Sequence, residues 1–186
     1  CNSWCIGRLK LVLRRTIPAT ASVVQKMNGD RLHSPAAAKN VGHITELVCS
    51  VSPKNGTALE IASGTGQHII KLAAVIPNLT WQPSDIDTAR LNSIVSWSFE
   101  KQLPNLLSPI KLDVTDEGWS ALCPNQDLIL LVNLLHLVSE SEAKVIIDGI
   151  FKSLMPGGRC VIYGPFMRDG FLTSDGDKCF HQSLVE

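Results

Sequence analysis

An apolar run ending in two closely spaced glycines, Ala58-Leu59-Glu60-Ile61-Ala62-Ser63-Gly64-Thr65-Gly66-Gln67-His68, leaves this backbone few choices. It predicts a buried strand over 58–62, a tight turn, and a helix over 66–75 halted by Pro77. Ile69, Ile70, Leu72 and Ala73 give that helix a broad apolar face suited to packing on a sheet. Asp85 follows nineteen residues after Gly66, just past a second short strand over 80–84. Further strands are expected over 109–112, ending at Asp113, over 127–133, and over 159–163. The run over 127–133 is almost continuous in Leu, Ile and Val, the mark of a central parallel strand covered on both faces. Helices fall between the strands. One expected over 36–49 starts at Ser34 and Pro35, and one capped by Asp87 carries Leu91, Ile94 and Val95 at helical spacing. A capping-box pair, Ser139 and Glu142, opens another with Ala143, Ile146, Ile147, Ile150, Phe151 and Leu154 along one side, ended by Pro156-Gly157-Gly158. The alternation predicts an α/β fold, one doubly wound and mainly parallel sheet without internal repeat or interdomain linker.

A strand, a glycine loop and an acid on the next strand together make a nucleoside pocket. Gly64 and Gly66 lack Cβ atoms, so the loop can take positive φ and let a ligand come close. A dinucleotide would call for a third small residue where Ile69 stands. Glu60 lies four residues before Gly64, at the strand end. A carboxylate there sits badly against a pyrophosphate and suits a ligand bearing a sulfonium and an ammonium. Asp85 is placed to accept hydrogen bonds from both ribose hydroxyls. The glycine loop alone would serve equally as a plain strand-to-helix turn. With Glu60 before it and Asp85 after it, the expected ligand is S-adenosylmethionine.

Composition narrows the partners. The 186 residues suit a single domain, and 17 basic residues cancel 17 acidic ones, so no net field draws the chain to nucleic acid or membrane. Six cysteines (Cys1, Cys5, Cys49, Cys123, Cys160 and Cys179) show no metal-ligand spacing, and no metal is expected. Cys49, Cys123 and Cys160 fall in or beside predicted elements, as buried free thiols do, which implies a reducing compartment. Residues 1–26 carry five basic residues and no acid before Asp30. That composition is compatible with a mitochondrial transit peptide, but the stronger expectation is an irregular or non-native leader. Met27 would then start a cytoplasmic domain spanning 27–186.

These residues resemble the class I S-adenosylmethionine-dependent methyltransferases. Glu60 to Gly66 is similar to the family's first motif, with Ala62 where a glycine is commonest, and Leu154-Met155-Pro156-Gly157-Gly158 is similar to the turn before its fifth strand. The resemblance implies a cofactor site of Glu60, Ser63, Gly64, Thr65, Gly66, Asp85, Asp113 and Asn133, with Asp85 at the ribose and Asp113 near the adenine amine. A narrower resemblance, to the methyltransferase-like 26 family, is carried by Ser34-Pro35-Ala36-Ala37-Ala38-Lys39-Asn40, by Ala62 to His68, by Trp81-Gln82-Pro83-Ser84-Asp85 and by Tyr163-Gly164-Pro165-Phe166. Lys39 replaces the arginine common before Asn40 in that family. The class I fold normally closes with a helix and an antiparallel hairpin, which the 23 residues after Tyr163 are too few to hold. The expectation is a C-terminally incomplete chain lacking the last strands.

Methyl transfer needs an in-line nucleophile, and much of its rate comes from proximity and orientation. Asn133 and His136 past the fourth strand, and Tyr163 to Phe166 past the fifth, are the candidates for the reacting end. His136 reads either as a general base or as a loop histidine that satisfies backbone groups. His68 reads as a cofactor contact or, more simply, as a neutral structural residue near a helix N-terminus, and Asn40 as a ligand contact or a helix-surface amide. Asn133-Leu134-Leu135-His136 lacks the Pro-Pro-aromatic sequence of enzymes that methylate amide or base nitrogens. Trp81, Trp97 and Trp119 read as packing residues, with Trp119 also a candidate to cover an adenine. The expected activity is methyl transfer to a small molecule or an accessible protein group. The alternatives are a catalytically inactive nucleoside-binding module acting through a protein partner and, less favoured, a nicotinamide-dependent oxidoreductase.

Overall fold

Ser34 and Pro35 start the first helix where expected. The N–H of Ala37 donates to Ser34 Oγ at 3.3 Å, and α1 runs from Pro35–Val51. The computed structural model describes residues 24–167 together with Asp169, Phe171 and Lys178. Cys1, Cys5, Cys179 and nearly all of the expected leader lie outside these. A feature not predicted precedes α1: β1 (Gln25–Lys26) pairs antiparallel with β2 (Leu32–His33). Its first strand falls in residues that the sequence assigns to the leader. The hairpin is held to the body by Ser93 Oγ, which accepts from Leu32 N–H at 2.9 Å, and by the Trp97 indole, which donates to the Leu32 carbonyl at 3.2 Å.

The rest follows the predicted alternation: β3 (Gly56–Ile61), α2 (Gln67–Val75), β4 (Leu79–Asp85), α3 (Thr88–Lys101), β5 (Ile110–Lys111), β6 (Gln126–Val132), α4 (Glu140–Ser153) and β7 (Leu154–Tyr163). The five long-range strands form a sheet of order β5-β4-β3-β6-β7. Every pairing in it is parallel. From β3 the chain steps outward to β4 and β5, then returns to the other side for β6 and β7. The order reverses between β3 and β6, and in doubly wound sheets ligands bind outside the carboxyl ends at such a switch point.

β6 shows why its sequence is apolar without a break. Leu128 and Leu130 pack with Ile44, Ile69, Leu72 and Ile94 from α1, α2 and α3. Ile129 and Leu131 point the other way, to Ile146 and Ile150 of α4 and to Trp119. Alternate residues of one strand thus feed two cores.

Four local expectations are corrected. On α4, Ile146 and Ile150 are buried but Ile147 is 43% and Phe151 80% exposed. Each lies one residue, about 100°, further round the helix than its buried neighbour and misses the sheet. Val95 on α3 is exposed beside buried Ile94 for the same reason. Pro156-Gly157-Gly158 does not end α4, which stops at Ser153; those residues lie inside β7, across a register shift opposite Gln126 and Leu128. A bulge absorbs the extra residues while pairing continues on both sides. Of the thiols expected to be buried, only Cys123 is; Cys49 and Cys160 are exposed.

The capping box is present. Glu142 N–H donates to Ser139 Oγ at 3.3 Å, and Ser139 N–H donates to Glu142 Oε2 at 2.8 Å. Ser139→Ala should therefore lower stability by about 1 kcal/mol, read as a shift in the urea midpoint at constant slope. Among the described residues no helix is long and apolar enough to cross a membrane, and no cluster of His, Cys, Asp and Glu is built to hold a metal ion.

Candidate cofactor site

Parallel strands bring their carboxyl ends to one edge of the sheet, so Glu60 and the loop after β3, Asp85 at the end of β4, Asp113 after β5, Asn133 after β6 and Tyr163 at the end of β7 share it. The loop turns sharply: Ala62, Gly64 and Gly66 all have positive φ, at 53°, 58° and 90°. Position 62 takes a left-handed conformation that favours glycine, and the alanine there bears a steric cost of about 1–2 kcal/mol.

Asp85 clasps this loop. Its Oδ2 accepts the N–H of Gly64 and its Oδ1 the N–H of Asp87, both at 2.9 Å. The Arg90 guanidinium of α3 stands 3.8 Å from Oδ2. A carboxylate oxygen can take two hydrogen bonds, so each oxygen keeps capacity for a ligand hydroxyl after its backbone bond. The acid expected to serve a ribose therefore also shapes the glycine turn.

Ser63 and Thr65 are buried and engaged within the protein. Ser63 Oγ donates to the Glu60 carbonyl at 3.2 Å and accepts Ser84 N–H at 3.2 Å, tying β3 to β4. Thr65 Oγ1 donates to Gln67 Oε1 at 2.8 Å. Asp113 Oδ1 accepts both the N–H and the hydroxyl of Thr115, at 3.0 and 2.6 Å, shaping the turn after β5. Asn133, at φ 54°, donates its N–H to the Tyr163 carbonyl at 2.8 Å, which brings the ends of β6 and β7 together. His136 sits on the short 3₁₀ turn Leu135–Leu137 just beyond, half-buried.

Glu60 is different in kind. It is 1% exposed, and neither carboxyl oxygen has a hydrogen-bond partner. The nearby serine hydroxyls are spent on its carbonyl instead, Ser84 Oγ at 2.8 Å and Ser63 Oγ at 3.2 Å. Burial pushes its carboxyl up to about 8; Ser63 pulls against this, and the Asp85 charge adds to it.

Asn40 is not a helix-surface amide. It is buried on α1 with its Oδ1 2.8 Å from His68 Nε2. Burial lowers the His68 imidazole to about 4, so it is neutral at physiological pH, as its position suggested. Two further contributors escaped the sequence reading. Gln67 Oε1 accepts the N–H of Ser34 at 2.5 Å as well as the Thr65 hydroxyl, locking the start of α1 onto the glycine loop. Arg90 was not singled out either, since nothing local ties a helical arginine to an acid five residues earlier. The only signal for Gln67 was a polar pair, Gln67-His68, opening an otherwise apolar helix. Trp81 is fully buried, and Trp119 packs beneath α4 against Gly149, where a Cβ would fall 2.2 Å from its Nε1. Both are committed to packing.

The model of a family described as a protein of unknown function, DUF938, matches residues 31–186. The chain belongs to the DUF938 family. Solved structures share the fold of this DUF938 chain. An O-methyltransferase family protein from Burkholderia thailandensis is 18% identical, with a TM-score of 0.65 over 80% of this chain and 46% of that one. CalO1, a methyltransferase in calicheamicin biosynthesis solved with S-adenosylhomocysteine bound, is 14% identical, with a TM-score of 0.64 over 81% of this chain and 43% of that one. Coclaurine N-methyltransferase, bound to N-methylheliamine and S-adenosylhomocysteine, is 16% identical, with a TM-score of 0.57 over 74% of this chain and 38% of that one. The DUF938 chain spans less than half the length of each of these. At such identities the likeness is one of fold: a Rossmann-like methyltransferase sheet.

Proposed function

We propose that this chain binds S-adenosylmethionine and transfers its methyl group to a small molecule or an accessible protein group. The observation that carries the reading is Glu60, a buried carboxyl with both oxygens unpartnered, beside a glycine loop clasped by Asp85. A buried acid left without donors is costly unless a ligand supplies them. The residues fit the cofactor. Gly64, where a Cβ would meet only the Ala62 carbonyl within 4 Å, leaves room for its approach, Asp85 keeps acceptor capacity for ribose hydroxyls, and Glu60 offers an anion to its ammonium. Asp113 would stand near the adenine amine, with Ser63, Thr65 and Asn133 framing the pocket. Bound there, the cofactor supplies a sulfonium methyl group open to in-line attack. Asn133, His136 and Tyr163, at the ends of β6 and β7, are the side chains we assign to orienting the acceptor, with His136 taking its proton. Several fold neighbours are described with S-adenosylhomocysteine bound, which supports the same ligand here. The narrower home we propose is the methyltransferase-like 26 family, supported by the four segments quoted above.

A thermal melt with S-adenosylhomocysteine tests the reading. At about 100 times its dissociation constant the ligand should add about 2.7 kcal/mol of stability. A cooperative melt that ignores the ligand would refute cofactor binding. A melt that climbs, with no methyl transfer across a broad acceptor panel, would turn the assignment to the inactive binding module. Quenching of NADH fluorescence on mixing would instead favour the oxidoreductase.

A further inference from the structure

Resting on the cofactor reading, we propose that the ligand's ammonium end binds by displacing the proton held by Glu60, so that one proton leaves the protein with each ligand taken up. Glu60 lies on the face of β3 shared with Ala58, which packs toward α1, α2 and α3. The groups around it offer no countercharge. From β4 come Pro83, its register partner, Ser84, whose hydroxyl goes to the Glu60 carbonyl, and Asp85, itself an anion. β6 presents Leu130. α2 presents His68, neutral and bonded to Asn40 of α1. Lys39 beside Asn40 and Lys71 beyond His68 are exposed, and Arg90 of α3 is placed against Asp85. Ser63 turns its hydroxyl to the Glu60 carbonyl.

An ionised carboxylate in that setting would have no opposite charge and no donor except the Ser63 hydroxyl, which is turned to the Glu60 carbonyl, so the ligand-free protein holds the neutral acid. Its carboxyl is raised to about 8, and at pH 7 the proton is largely in place. An arriving ammonium brings both missing elements, positive charge and N–H donors, and so favours the ionised form. The proton passes from the Glu60 carboxyl to solvent, the carboxylate pairs with the ammonium, and no bond within the ligand changes.

Only the ionised fraction of Glu60 is then competent to bind. The apparent dissociation constant should tighten about tenfold from pH 6 to pH 7, because that fraction rises about tenfold. The gain should level off once the pH passes about 8.

The experiment is calorimetric titration of S-adenosylhomocysteine into the full chain at pH 7, in two buffers of contrasting ionisation heat. The expected result is about one proton released per ligand bound. Glu60→Gln should bind with no proton release and with an affinity flat between pH 6 and 7. Binding by the wild-type chain without proton release overturns the proposal, as does an equal release from Glu60→Gln. Should that variant fail to fold, the wild-type proton count decides alone. Failure of a cooperatively melting chain to bind at all would instead refute the cofactor reading, and this inference with it.

Discussion

Asp85→Ala should lower fold stability by about 2–4 kcal/mol and weaken S-adenosylhomocysteine binding by about 1–3 kcal/mol. The first effect follows from the clasp. Gly64 N–H and Asp87 N–H both lose their acceptor, at a site where the acid is only 2% exposed, and each stranded donor costs about 1–3 kcal/mol. The second follows from the unused acceptor capacity of the same two oxygens, which suits a vicinal diol. Asp85→Asn separates the roles. It keeps one carbonyl acceptor but sets an amide against the other backbone N–H, so its stability should fall between those of wild type and Asp85→Ala. Urea denaturation gives the first quantity and calorimetric titration the second. Wild-type stability in Asp85→Ala would show that the clasp contributes nothing, and wild-type affinity would remove Asp85 from the cofactor site.

The parallel sheet and the central place of β6 were legible because β6 is almost continuous in apolar residues and the glycine loop marks a turn from strand to helix. The ends of elements were less so. The turn assigned to Pro156-Gly157-Gly158 lies within β7 because pairing with β6 resumes past a bulge, a tertiary gain that local turn propensity does not encode. Ile147 and Phe151 were grouped with Ile146 and Ile150 because a broad apolar stripe does not reveal where the sheet stops covering it. The β1–β2 hairpin has two residues in each strand and owes its place to Ser93 and Trp97, more than sixty residues away. No local pattern announces such a contact.

The site divides along the same line. Glu60, Gly64, Gly66 and Asp85 could be named from the sequence because spacing on adjacent strands sets their positions. What Asp85 does for Gly64, and what Asn40 does for His68, depends on side chains meeting across 21 and 28 residues of chain. Polar residues that seemed free to meet a ligand, Ser63 and Thr65, are largely employed in holding the loop. Glu60 is the informative contrast, because its neighbours satisfy its backbone carbonyl and leave its carboxyl alone.

Gly66→Ala should cost about 2–5 kcal/mol, whereas Gly118→Ala should cost only about 1–2 kcal/mol, and the difference isolates packing from backbone strain. The two glycines share a conformation: φ 90° and ψ −1° at Gly66, φ 87° and ψ 2° at Gly118. An alanine at either bears the same left-handed penalty. Their surroundings differ. A Cβ at Gly118 meets nothing within 4 Å, while one at Gly66 would lie 3.1 Å from Ile94 Cγ1 and 3.4 Å from Ile94 Cα. Ile94 is fully buried, so its side chain has no solvent to retreat into, and its backbone belongs to α3. Either α3 or the loop must shift, and a shifted loop moves Gly64 away from Asp85. Gly66→Ala should therefore also lose most of its stabilisation by S-adenosylhomocysteine, and Gly118→Ala should keep it. Equal costs in the two variants would mean that Ile94 yields freely and that the glycine at position 66 serves conformation alone. An unchanged ligand shift in Gly66→Ala would separate the loop's geometry from cofactor binding.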